Sequence, residues 1–350
     1  MTIVGQLERP TQNRVVELFT DRLGYKNLGD WKDRENNSHI EEKLLRDYLT
    51  ERGVSETLIT RAIRELTNTA GDQIKSLYDI NKEVYTLLRY GVKVSEGVGE
   101  NNQTVWLIDW KNPEKNHFAV AEEVTIRGEN TKRPDVVLYV NGIALGVLEL
   151  KRSIVSVSEG IRQNLDNQTD RFIRPFFSTI QIVMAGNDTE GLRYGVIETP
   201  EKYYLKSKEE GETEIGAKEN LLDRHLLQLC DKKRFLEILH NFIVFDGGIK
   251  KICRHNQYFG VKETQKFLKR REGGIIWHTQ GSGKSLAMVW IAKWIRENLP
   301  DSRVLIVTDR TELDEQIEGV FKGVDEQIYR TTSGEDLINQ LILLCQIKLN

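Results

Sequence analysis

The chain has 350 residues, 39% of them hydrophobic and 29% charged, and 50 basic side chains against 53 acidic ones give a net charge of −3. That length holds two or three domains with ordinary cores, and the composition excludes disorder, collagen-like repeats and a globally positive field, so any nucleic-acid surface must be local. Cys230, Cys253 and Cys345 form no CxxC or Cys/His pattern; a sparse, odd count points to reduced thiols in the cytoplasm instead of zinc or disulfides. The amino terminus lacks the basic start and apolar run of a signal peptide, and no stretch approaches the roughly 18 apolar residues of a membrane helix, so no membrane association is expected.

From Ser38 to Ala70 apolar residues recur every three or four positions, which predicts two helices, the second capped by Ser55 after the Arg52–Gly53 break. A third helix is expected over Lys75–Arg89. Strands follow at 104–109, 118–126, 135–140 and 143–151, where β-branched residues alternate or cluster. A helix over Ser158–Asp170, ended before Pro175, leads to a short buried strand at 179–186. Residues 206–219 are charged and glycine-containing, a solvated loop. The run FIVFDGGIKKI marks a junction, which divides the chain into domains 1–245 and 246–350. Beyond it, helix, strand 275–277, helix and strand 304–309 alternate as in a parallel sheet.

Arg133-Pro134-Asp135 opens one strand and Glu149-Leu150-Lys151 closes the next, with an almost wholly apolar stretch between. Glu149 and Lys151 are two apart on a strand and share a face. Carboxylates suit hard Mg²⁺, which polarises a phosphoryl oxygen and activates water, while a neighbouring lysine steadies the hydroxide or the developing charge. Asp135 and Glu149 are therefore the candidate metal ligands, with Asp135, Glu149 and Lys151 as the candidate catalytic set for phosphodiester hydrolysis. Geometry imposes a condition. Asn141-Gly142 favours a two-residue hairpin turn, and an undisturbed register would pair Asp135 with Leu148 and turn Glu149 away. An irregularity between Asn141 and Gly146 is required to bring Asp135 opposite Glu149. The following helix bears Gln163 and Gln168. Gln168-x-x-x-Phe172 resembles the Q-x-x-x-Y element of a branch of PD-(D/E)xK nucleases, with phenylalanine replacing tyrosine, so Gln168 alone is carried over as a catalytic candidate. Glu42 is assigned to a solvated helix face.

In IIWHTQGSGKSLAMVW an apolar strand precedes a glycine loop and a helix that starts near Lys284. Gly281 and Gly283 let the backbone wrap an anion, the helix start adds partial positive charge, Lys284 supplies a cation and Ser285 a hydroxyl for Mg²⁺. The phosphates of ATP would lie against Thr279, Gln280, Gly281, Ser282, Gly283, Lys284 and Ser285, with His278 standing where the usual pattern has its first glycine. TQGSGKS and VLIVTDR resemble the first motifs of superfamily 2 helicases, and Arg254 with Gln257 resembles the upstream glutamine motif. That resemblance implies adenine recognition by Gln257 and a DNA-facing place for Thr308 or Arg310. The basic stretch 266–271 reads as a solvated helix face.

Taken together, RPDVVLYVNGIALGVLELK and the later IWHTQGSGKS make the chain similar to the endonuclease (R) subunit of type I restriction-modification enzymes. The resemblance implies an α/β fold: a PD-(D/E)xK nuclease-like mixed sheet with flanking helices, followed by the start of a RecA-like parallel α/β helicase lobe. It implies Mg²⁺ and ATP as cofactors, double-stranded DNA as substrate, and methyltransferase (M) and specificity (S) subunits as partners. The later helicase motifs are not found after VLIVTDR, so the chain is expected to be a fragment that does not translocate. Two readings stay open beside this one: a nucleotide-binding repair ATPase whose PD…ExK pattern is accidental, and a non-catalytic assembly domain.

Overall fold

A computed structural model describes residues 8–97, 99–206, 220–324 and 328–346. The 207–219 part of the expected charged loop lies outside the described residues. In chain order the elements are α1 (Glu8–Glu17), β1 (Lys26–Asp30), α2 (Glu42–Glu51), α3 (Glu56–Ala70), α4 (Leu77–Tyr90), β2 (Val92–Val94), β3 (Gln103–Val105), β4 (Phe118–Glu122), β5 (Val136–Val140) and β6 (Ile143–Leu150). Then come α5 (Val157–Asn167), β7 (Ile182–Asn187), β8 (Gly191–Gly195), β9 (Leu205–Lys206), α6 (Leu221–Leu229), α7 (Lys232–Asn241), β10 (Ile243–Asp246), β11 (Ile249–Ile252), α8 (His255–Lys269), α9 (Lys284–Asn298), α10 (Thr311–Gly323) and α11 (Gly334–Gln346). The chain divides into two compact units, one of Met1–Val244 with Gly248–Tyr258 and one of Phe245–Gly247 with Phe259–Asn350.

The first unit is built on a seven-stranded mixed sheet in the order β1-β4-β5-β6-β7-β8-β9. The β1–β4 and β6–β7 pairs are parallel and the others antiparallel. Every residue of β4, β5, β6 and β7 is buried, as strands covered on both faces require. Helix α5 covers one face: a Cβ added at Gly160 would lie 3.1 Å from the Ala185 Cβ, so the missing side chain sets how closely helix and sheet approach. On the other face Leu222 of α6 packs over Gly186, and the Cys230 thiol meets Met184 at 4.0 Å. Burial raises the thiols of Cys230 and Cys253 well above their ordinary range, so both are inert core groups.

Ser55 caps α3 by accepting the Leu58 N–H, and Ser76 caps α4 in the same way through Asp79. Asn81, on the buried face of α4, donates to the carbonyls of Phe177, Ser178 and Ile180. The strand expected over 104–109 is confined to β3, because the chain turns at 107–108, and β4 ends at Glu122, where Glu123 takes φ of 49° and breaks the extended backbone. The 241–252 junction holds a small two-stranded sheet, β10 and β11.

In the second unit α9 and α10 form a small apolar core from Val289, Ala292, Ile317 and Phe321. Here an expectation is corrected. Segments 275–277 and 304–309 are not strands, since among the described residues neither finds a pairing partner. An extended apolar segment becomes a strand only when a neighbour takes up its N–H and C=O groups. Without one, Ile275, Trp277 and Val307 are 89%, 90% and 82% exposed. No helix among the described residues is long and apolar enough to cross a membrane.

Candidate functional site

The β5–β6 hairpin sets the geometry of the carboxylates. Asn141 and Gly142 take φ of 53° and 81°, the left-handed pair that a tight two-residue turn needs, and Val140 pairs with Ile143 and Tyr139 with Ala144. The register then shifts: Leu138 pairs with Gly146, Val137 with Val147 and Val136 with Leu148. Leu145 is the extra residue, and its carbonyl is taken up by the Gln181 N–H at 2.8 Å. Continuing that register by one step sets Asp135 opposite Glu149. The irregularity that the sequence demanded between Asn141 and Gly146 is therefore present, alongside the tight turn and not in place of it.

Asp135 reaches across to β6, its Oδ2 accepting the Leu150 N–H at 2.7 Å. Its own carbonyl is held from two sides, by the Glu123 N–H at 2.9 Å and by Gln12 Nε2 of α1 at 3.1 Å. Glu149 is fully buried, paired with Ala185 of β7 and lying under α5. Gln163 of α5 joins it to Lys151: Gln163 Nε2 donates to Glu149 Oε2 at 2.7 Å, and Lys151 Nζ donates to Gln163 Oε1 at 2.8 Å. One amide thus orients both charged groups, using its donor for the anion and its acceptor for the cation.

Gln168 is not brought to this cluster. It ends α5 on the far side of a helical turn, where its Nε2 donates to the Asn164 carbonyl and its Oε1 accepts the Glu198 N–H. The glutamine that meets the carboxylate is Gln163. Its sequence signal was the neighbouring Gly160, which marks the helix face pressed to the sheet; three residues on, Gln163 returns to that face at the strand end. Glu42 lies on the surface of α2, paired with Arg46, as a solvated face requires.

Among the described residues no group of three or more His, Cys, Asp or Glu side chains is placed to hold a metal ion. Two carboxylates are the set expected of Mg²⁺, which keeps several waters and takes few protein ligands. Asp135 and Glu149, hard oxygen donors on adjoining strand ends, fit that ion.

In the second unit α9 begins at Lys284, with Gly281 and Gly283 at φ of 72° and 83° in the preceding loop. Lys284 Nζ donates to the carbonyls of His278 and Thr279 at 3.2 and 3.1 Å, and Ser282 Oγ donates to the Thr279 carbonyl at 2.7 Å. The ammonium is thereby held within the loop. His278 packs on Gly260 of α8, where a Cβ would meet the ring at 3.3 Å. Gln257, in the first unit, is buried with its Oε1 accepting the Arg254 N–H, a side-chain cap at the start of α8. Thr308 Oγ1 donates to Asp314, and Arg310 precedes α10. Lys266 and Arg270 of the basic stretch pair with Glu263 and Glu272 on the helix surface.

Residues 5–202 match the family model described as type I restriction enzyme R protein N terminus. Residues 256–348 match the SWI2/SNF2 ATPase model. The chain is 27% identical to a putative type I restriction enzyme endonuclease subunit of Methanocaldococcus jannaschii (MjaVIIIP), over 86% of this chain and 30% of the relative. It is also 27% identical to the type I restriction enzyme HindI endonuclease subunit of Haemophilus influenzae, over 81% of this chain and 28% of the relative. A type I restriction enzyme endonuclease subunit of Staphylococcus saprophyticus (SsaAORF53P) is 23% identical over 65% of this chain. The chain thus spans under a third of the length of the curated relatives it matches.

Proposed function

Because the chain belongs to the family of type I restriction enzyme R protein amino termini, we propose that it carries the DNA-cutting centre of a restriction endonuclease subunit and the first nucleotide-binding elements of its ATP-driven motor. The single observation that carries the reading is the hairpin bulge that sets Asp135 opposite Glu149, with Gln163 bridging Glu149 to Lys151. The substrate is double-stranded DNA. Partners are the methyltransferase and specificity subunits of a type I complex, and the cell compartment is the cytoplasm. The first unit is read as a PD-(D/E)xK nuclease and the second as the start of a RecA-like lobe.

Mg²⁺ held by Asp135 and Glu149 would polarise a phosphoryl oxygen and lower the pKa of attacking water. The protein's part is orientation. The Leu150 N–H fixes Asp135 and the Gln163 amide fixes Glu149. The Lys151 ammonium, held by the other end of that amide, would stabilise hydroxide or the charge that develops on the phosphorane. Residues 279–285 would hold the phosphates of ATP by loop N–H groups, Lys284 and the Ser285 hydroxyl. By the resemblance to the upstream glutamine motif, Gln257 would read adenine.

The test uses the full-length subunit in its assembled complex, with plasmid DNA, Mg²⁺ and ATP. Asp135→Ala is expected to lower cleavage at least 100-fold while ATP hydrolysis persists; Lys284→Ala is expected to abolish ATP hydrolysis and cleavage together. Cleavage by Asp135→Ala at the unmodified rate would remove the nuclease assignment.

A further inference from the structure

Immediately beyond Lys151 an apolar side chain is turned outward. Ile154 is 62% exposed, although β-branched apolar side chains normally go inside, and it stands in a loop that is firmly held. The Val155 N–H bonds the Arg152 carbonyl at 2.9 Å, closing a turn. Asn187 Nδ2 donates to the Val155 carbonyl at 2.7 Å, Thr189 Oγ1 donates to the Ser153 carbonyl at 3.1 Å, and the Val157 N–H donates to Glu190 at 2.9 Å. The β7–β8 turn thus ties down the loop backbone at successive points; Arg152, Ile154 and Ser156 are the exposed residues of the loop, and Ser156 is occupied in capping α5.

We infer that this loop, residues 152–156, is a DNA-contacting element of the nuclease centre, with Ile154 packing on the deoxyribose edge of the strand to be cut and Arg152 meeting a flanking phosphate. The inference rests on the nuclease reading above and adds the surface that positions its substrate. A phosphodiester can be cut only at the strand ends that carry Asp135 and Glu149, so a duplex brought there must run along whatever borders Lys151. That border is this loop. An exposed isoleucine on a rigid tip suits the apolar sugar surface of a groove, where apolar side chains pack or wedge. An arginine beside it suits the phosphate. Because the tip is already ordered, little conformational entropy is lost when DNA arrives.

The experiment measures DNA cleavage, ATP hydrolysis and yield of the assembled complex for the full-length subunit carrying Ile154→Asp, Arg152→Ala or, as a control, Ile74→Asp. Ile74 is 98% exposed in the α3–α4 connection, which contributes nothing to the carboxylate-bearing strand ends. Ile154→Asp is expected to slow cleavage tenfold or more, with ATP hydrolysis and complex yield within twofold of the unmodified protein and Ile74→Asp without effect. Arg152→Ala is expected to slow cleavage several-fold, the deficit narrowing as salt is raised because the variant has one phosphate contact fewer to lose. A smaller loss for Ile154→Asp, or one matched by lost ATP hydrolysis or complex yield, overturns the inference and assigns the tip to no partner or to a protein partner. Cleavage by Asp135→Ala, run in parallel, is a failure of the underlying nuclease reading and is recognised separately.

Discussion

The segments Val136–Val140 and 304–309 carry nearly the same apolar, β-branched pattern, yet the first is a fully buried strand and the second is exposed and unpaired among the described residues. Pattern alone does not make a strand. In the first unit β4 and β6 flank Val136–Val140 with antiparallel ladders on both sides, and helices cover the sheet. Segments 275–277 and 304–309 have the composition of buried parallel strands but, among the described residues, no neighbouring strand, so Leu305 remains 61% exposed where Leu148 is fully buried.

The largest effect that could break this contrast is on stability. Leu148→Ala should cost the first unit about 2–5 kcal/mol, the usual price of a core cavity, whereas Leu305→Ala should change stability by less than about 0.5 kcal/mol. Denaturant titration followed by a probe in each unit checks both. Equal losses would show that 304–309 is buried after all. Gly142→Ala should follow, at about 1–3 kcal/mol for forcing a side chain into left-handed backbone, since its Cβ would also come within 2.8 Å of the Glu41 carbonyl and the Leu45 nitrogen. The same titration reads it.

The two glutamines of the α5 region sharpen the comparison at the site. Gln163→Ala is expected to slow cleavage about tenfold and to raise the Mg²⁺ concentration for half-maximal rate several-fold, because Glu149 and Lys151 lose their common partner. Gln168→Ala should leave both kinetic values within twofold and lower only thermal stability, since its bonds go to the backbone of Asn164 and Glu198. Kinetics of the assembled complex against Mg²⁺ separate them.

The smallest effect concerns acid. Burial lowers His225 to about 4, and its Nδ1 accepts the Leu192 N–H, which needs the neutral ring. The unfolded chain takes up this proton near pH 6.5 and the folded chain only near 4, so stability is full above pH 6.5 and declines as pH falls toward 4. His39, lowered to about 4 by burial, acts in the same direction. His225→Asn keeps an acceptor without a titrating group and should flatten part of that slope in urea midpoints taken between pH 7 and 4.5; an unchanged slope would deny His225 its share.

Much of the first unit was legible because its signals are local. Ser55 and the 3.6-residue spacing around Leu58, Ala62 and Leu66 announce α3, and the Asn141-Gly142 turn with the demand that Asp135 meet Glu149 announces the bulge. The position of Gln163 was harder to read, because which glutamine faces the carboxylate depends on the rotation of α5 over Ala185, a contact between distant parts of the chain. β1, β8 and β9 gave weak signals. Their residues include Gly29, Gly191 and Gly195, and pairing, not propensity, makes them strands.

Asp135 and Glu149 are proposed to form one metal-binding centre served by Lys151 and Gln163. Anomalous diffraction from crystals of the protein soaked in Mn²⁺, which takes the same oxygen ligands as Mg²⁺, tests it most directly. An anomalous peak is expected within coordinating distance of both the Asp135 and Glu149 carboxylates, and none in Asp135→Ala. A peak elsewhere, with none at this pair, would contradict it.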